Sequence, residues 1–310
     1  MNKGKALRVG DTVGLIAPSS PPKQMEIVPR AVAAVEALGF KVKLGETCGQ
    51  NYGGYLAGTP EQRAAELNGM FADEEVDGII CLRGGYGAPQ ILPLLDYDCI
   101  AHNPKLFVGY SDITALHTAF GQCADLATLH GPMAASELAH GLEDWSMQVL
   151  KRALTIPEPL GVLENPPDEE IACLVGGVAS GPVVGGNLSL VAALMGTPYE
   201  LDTRGKLLFL EDIDEEPYRV DRMLTQLALG GLFDDCAGII LGTWTGCEPK
   251  NREGFTILDV FENIVVPYCK PTILNIQIGH SPVNMALPFG VWASLDATHC
   301  QLIIEESVTV

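Results

Sequence analysis

The sequence has no apolar run long enough to cross a membrane: nowhere do ~18 such residues follow one another. Its first stretch, MNKGKALRVGDTVGLIAPSS, meets Asp11 and Pro18 before a signal-peptide core can form. A cytoplasmic protein with no membrane partner is therefore expected. Basic residues are scarce. Nineteen Lys and Arg stand against 39 Asp and Glu, a net charge of -20, which repels phosphate backbones and argues against nucleic acid as a partner. Paired cysteines are missing too. The nine cysteines are odd in number, scattered and without a CxxC pair, so they read as reduced core residues rather than a disulfide frame or a zinc site. No repeat of fixed period and no low-complexity tract is present.

What is present describes a globular chain of 310 residues, 47% hydrophobic and 19% charged, with a length that points to two domains. Strand-like and helix-like runs alternate from the start. VGLIA is a buried-strand run that ends in the loop PSSPP. Residues 25–38 then place Val28, Val32, Val35 and Leu38 on one helical face, with Gly39 as a stop. FKVKL, VDGIICL and KLFVG follow as strands. Thr59-Pro60-Glu61-Gln62 has capping-box spacing at the head of another helix. Apolar strands separated by helices mean a parallel sheet covered on both faces, with ligands at the carboxyl ends of its strands. The loops PSSPP, RGGYG (83–87) and GYSD (109–112) lie there. The stretch 156–172, rich in proline and acids, reads as a linker. Beyond it the chain is mixed α and β with more strand, including LLFLE, AGIILG, ILNIQIG, VWASLD and QLIIEE. The expected fold class is α/β, with an N-terminal parallel-sheet α/β domain (1–160) and a second, smaller β-rich α/β domain (173–310).

Three constellations can carry chemistry. In KLFVGYSDITALH a serine sits between a buried strand and a helix, two residues after a glycine, as in a nucleophile elbow; Ile113 stands where such elbows usually have a second glycine. Helix capping by Ser111 or Asp112 is the ordinary alternative on this stretch alone. RGGYG offers backbone N–H groups as an anion nest or half of an oxyanion hole. A dinucleotide fingerprint fits poorly, because Gly85–Gln90 lacks the third glycine and carries Pro89. In LLFLEDIDEEPYRVDRM, acids 214–216 complement a helix dipole, whereas Glu211 leaves an apolar strand and is a candidate orienter for a histidine, a solvated strand end being the ordinary alternative on this stretch alone. Of six histidines, His280 ends the run ILNIQIG and feeds a loop, where a general base would meet a nucleophile from another element.

Together with LRVGDTVGLIAPSS, LHGPM, GGNLSLVAALMGTPYE and IGHSPVNMALPFG, these motifs resemble the LD-carboxypeptidase family of serine peptidases, in the family's order and across nearly the whole chain. The resemblance implies a triad of Ser111, Glu211 and His280 drawn from both domains. It implies an oxyanion hole from the N–H groups of Asp112 and Gly85, with Arg83, Gly84 and Tyr86 as substrate contacts, and needs no metal or cofactor. It further implies cleavage of the bond between meso-diaminopimelate and terminal D-alanine in murein tetrapeptides during cell-wall recycling. A small peptide is thus the expected partner, and a homodimer the expected assembly. The nearer alternative is a microcin C immunity-type peptidase acting on peptidyl or aminoacyl adenylates, for which an aromatic loop would be expected; Trp145, Trp244 and Trp292 do not identify one. A non-catalytic small-ligand binder is the alternative of another class.

Overall fold

The computed structural model describes residues 1–250 and 254–310, which form two compact units. The first comprises Met1–Glu158, Met285–Gly290 and Ser307–Val310; the second comprises Pro159–Asn284 and Val291–Glu306. The units are therefore not consecutive halves of the chain. Each is built on its own sheet.

In the first unit the strands β1 (Thr12–Ile16), β2 (Lys41–Leu44), β3 (Gly78–Cys81), β4 (Leu106–Gly109) and β5 (Thr128–His130) lie in the order β5-β4-β3-β1-β2, all parallel. The segment Leu287–Phe289 adds an antiparallel edge beside β5. β3 and β4 are buried at every position, which is why GIIC and LFVG do not alternate. The helix Ile27–Ala37 buries Val28, Ala31 and Val35, and Gly39 ends it at φ 100. The helix Pro60–Ala72 opens on the expected capping box: Thr59 Oγ1 accepts from the Gln62 N–H, and Gln62 Oε1 accepts from the Thr59 N–H. Its Phe71 meets Phe120 edge-on at 5.4 Å, and Phe120 meets Phe107 of β4 at 4.9 Å. Burying each ring contributes roughly 1.5–3 kcal/mol. The strand order changes direction between β1 and β3. Open α/β sheets take ligands at that point, and here PSSPP and RGGYG flank it.

The second unit is a mixed sheet of eight strands. Val178–Asn187, Leu207–Ile213, Gly238–Thr245 and Thr272–Leu274 run parallel at its centre, and antiparallel strands flank them. The helix Pro217–Leu229 sets Val220, Leu224 and Leu227 into a core with Leu208, Leu210, Ile239 and Leu241. Two elements differ from the sequence reading. The stretch read as a linker contains an edge strand, Gly161–Leu163, paired with Gln301–Ile304. ILNIQIG is a strand only to Leu274, because Asn275 takes φ 65 and breaks the ladder. His280 therefore follows an irregular segment, which is buried from Ile276 to Gly279.

Candidate active site

In the first unit, β4 ends at Gly109 and Ser111 follows at φ 65, a left-handed conformation that a non-glycine residue adopts at a cost of order 1–3 kcal/mol. Gly109 is required by packing: a Cβ there would lie 2.9 Å from Ile113 Cγ2. The space an elbow usually provides with its second glycine is provided here by the first, so Ile113 fits. The capping alternative does not hold. The helix Thr114–Cys123 is entered through a 3-10 turn, Ser111–Ile113, and its N-cap Ile113 makes no side-chain cap bond.

The Asp112 side chain has a different task. Its Oδ2 accepts from Ser19 Oγ at 2.6 Å and from the Ala88 N–H at 2.8 Å, linking GYSD to PSSPP and to the residue after RGGYG. Burial pushes this carboxyl above its ordinary value, opposed by those hydrogen bonds and by the charge of Arg63. Arg63, itself 1% exposed, donates to the carbonyls of Gly58, Pro18 and Gly87 and to Gln90 Oε1. All three carboxyl-end loops are thus fixed by one buried acid and one buried base. Gly84 packs against the elbow: a Cβ on it would lie 3.0 Å from Ser111 Cβ and 3.2 Å from the Asp112 nitrogen. Gly85, at φ 112, turns against Ser20, whose Oγ accepts from the Tyr86 N–H. Tyr86 is exposed and its ring lies 5.8 Å from that of Tyr55. Ser111, Asp112, Gly84 and Gly85 are brought together, with Arg83 and Tyr86 at the border.

His117, also buried, holds the strand end behind Ser111. Its Nε2 donates to the Gly109 carbonyl at 2.8 Å, so in the neutral ring Nδ1 accepts from Thr128 Oγ1, also at 2.8 Å. Burial lowers its pKa to about 4, keeping it neutral near pH 7. Sequence reasoning passed over Ser19, Arg63 and His117. Arg63 carries no signal, since an arginine in a first helical turn normally faces water.

In the second unit, Glu211 is completely buried near the end of Leu207–Ile213 and its Oε2 lies 2.7 Å from His280 Nδ1. A carboxylate there fixes the tautomer with hydrogen on Nδ1, leaving the ring's lone pair on Nε2. The neighbouring Asp212 is engaged elsewhere: it accepts from Asn187 Nδ2 and the Ile213 N–H at Oδ1, and from the Ser189 N–H and Oγ at Oδ2. Burial and the charge of Glu211 push its carboxyl up. The two adjacent acids therefore have separate roles, one on a histidine and one on a helix start. Among the described residues, no group of three or more His, Cys, Asp or Glu is arranged to hold a metal. No helix among them is long and apolar enough to cross a membrane.

Residues 13–131 match the sequence model of the LD-carboxypeptidase N-terminal domain, and residues 180–295 that of the LD-carboxypeptidase C-terminal domain. A Bacillus subtilis protein named "Probable murein peptide carboxypeptidase" is 42% identical over 314 residues, covering 99% of this chain and 95% of its own. Among solved structures, the microcin C7 self-immunity protein in complex with aspartyl sulfamoyl adenosine superposes with a TM-score of 0.92 at 26% identity, over 100% of both chains. A muramoyltetrapeptide carboxypeptidase from Oxalobacter formigenes superposes with a TM-score of 0.82 at 27% identity, over 95% of this chain and 99% of the other.

Proposed function

The chain belongs to the LD-carboxypeptidase family, and from that premise we propose that it is a serine carboxypeptidase releasing terminal D-alanine from murein tetrapeptides. The observation that carries the catalytic part is the buried Glu211 on His280 Nδ1. That acid costs stability where it stands, and holding an imidazole in one tautomer gives it a purpose.

In this reading Ser111 Oγ attacks the amide carbonyl as its proton passes to His280 Nε2. Glu211 stabilises the imidazolium that forms. In this reading the N–H groups of Asp112 and Gly85 take the developing oxyanion. His280 then gives its proton to the leaving amine. Water, activated by the same imidazole, hydrolyses the acyl-serine ester and releases the shortened peptide. The compartment we propose for this reaction is the cytoplasm, a reading supported by nine cysteines that are odd in number and scattered without a CxxC pair. For the assembly we propose a homodimer, which sedimentation of the purified protein tests.

The likeness to microcin immunity structures favours a second reading, hydrolysis of peptidyl or aminoacyl adenylates through the same residues. It ranks second because the 42% identical relative is named for murein peptides. Incubating the protein with purified tetrapeptide and following D-alanine by mass spectrometry tests the first reading. Turnover of aminoacyl adenylates without D-alanine release would replace it with the second.

A further inference from the structure

Within the first unit, at the point where the strand order reverses, lies a cleft of about 320 Å³ that has no assigned role. Its polar lining is Lys23 and Gln24 from the loop after β1, Arg83 from the loop after β3, and Ser136 and His140 beyond β5, over an apolar floor that includes Ile27. Among the described residues no acid lines it, although acids outnumber bases 39 to 19 in the chain.

Arg83 is the telling member. It is half-buried, and burial lowers its pKa, yet among the described residues no carboxylate pairs with it. Among the described residues only its Nη1 is engaged, donating to the Pro21 carbonyl at 2.9 Å, which leaves four of its five N–H donors. A partly desolvated guanidinium without an acid is a site waiting for an anion. Its position says which part of a ligand that anion belongs to. The guanidinium runs back beside Gly85, where a Cβ would lie 3.3 Å from Nη2. One side of Arg83 thus faces the cleft and the other the glycine assigned to the oxyanion hole. In a peptide cut at its last bond, the carboxylate of the leaving residue lies one residue from the scissile carbonyl.

We propose that this cleft is the subsite for the terminal carboxylate of the substrate peptide, with Arg83 as the inner donor and Lys23 and His140 as the outer contacts. The assignment rests on the carboxypeptidase reading above and names the charge that reading must recognise. A planar carboxylate matches the bidentate fork of arginine, and Lys23 adds a movable point charge at the mouth.

The test uses Ser111→Ala protein, so that binding is read without turnover, and the tetrapeptide with either a free or an amidated C-terminus. Calorimetry should show the free acid binding about 10- to 100-fold more tightly than the amide, as expected for losing a charge-assisted bond. Adding Arg83→Gln should shrink that ratio to about twofold or less, and adding Lys23→Ala, at an exposed position, should reduce it partway. Equal binding of acid and amide, binding of neither, or a ratio that survives both substitutions would overturn the proposal. A charge preference found only with adenosine monophosphate and lost in Arg83→Gln would overturn it in favour of a phosphate site. D-alanine release by the wild-type protein is scored separately. Release with an unchanged ratio sinks the subsite and keeps the carboxypeptidase, whereas an Arg83-dependent ratio without release does the reverse.

Discussion

Gly279 presses so closely on Glu211 that a Cβ on the glycine would lie 2.7 Å from the carboxylate Oε2, the atom bonded to His280. The same Cβ would lie 2.7 Å from Thr243 Oγ1, and the residue stands at φ 126, where side chains are rarely accommodated. Backbone and carboxylate have approached as far as a missing side chain allows. Gly279→Ala is therefore expected to displace the Glu211–His280 pair and lower kcat on the tetrapeptide by about 100-fold or more, since misplacement of ~1 Å costs that much. Steady-state kinetics beside thermal unfolding check it; undiminished turnover would show that the contact is not needed.

Glu211 and Asp212 can be separated by their partners. Glu211→Gln keeps a hydrogen-bonding group on His280 but removes the charge that stabilises imidazolium. Turnover should fall by up to ~10⁴, with substrate binding and melting temperature little changed. Asp212→Asn leaves that pair alone and weakens the bonds to Ser189 and Asn187, so it should cost about 1–3 kcal/mol of stability and little rate per folded molecule. Denaturant titration and single-turnover kinetics on both variants distinguish the two roles. A reversed pattern would move the acid to Asp212.

Ser111 offers a test in which stability and activity move in opposite directions. Its side chain caps no helix and its backbone sits at φ 65, so the strain is removed by glycine. Ser111→Gly should abolish hydrolysis while raising stability by about 1 kcal/mol, and Ser111→Ala should abolish hydrolysis with little change. Loss of stability in the glycine variant would mean that the serine supports the fold.

Much of this arrangement was legible because its signals are local. Thr59 and Gln62 announce a helix start within four residues, and Gly109 and Ser111 announce a tight turn after a buried strand. The parts that were not legible depend on distant neighbours. Arg63 looks like a solvent-facing charge until the carbonyls of Pro18 and Gly87 surround it. ILNIQIG is apolar enough for a strand throughout, but Asn275 turns it after Leu274 so that Gly279 and His280 can reach Glu211. The strand Gly161–Leu163 hides among prolines because its ladder partner is more than a hundred residues away.

His117 gives the pH prediction. In the folded protein its pKa is lowered from 6.5 to about 4 by burial, so between those values the unfolded chain binds a proton that the folded chain refuses. Stability then rises with pH across this window: the contribution is fully present above 6.5 and is lost as pH falls towards 4. A shift of this size corresponds to about 3 kcal/mol for a side chain as buried as this one. His117→Gln removes the titration while keeping an amide that can still donate to the Gly109 carbonyl. Urea unfolding at intervals from pH 7 to pH 4 should show the wild type losing about 3 kcal/mol more than the variant. Because the Gly109 carbonyl is two residues before Ser111, the variant should also lose kcat at pH 7, where the histidine is already neutral, by roughly tenfold for a loosened elbow. Parallel stability profiles would show that His117 does not titrate in this window. An unchanged kcat would show that Gly109 is held well enough by its other bond, from the Gly131 N–H.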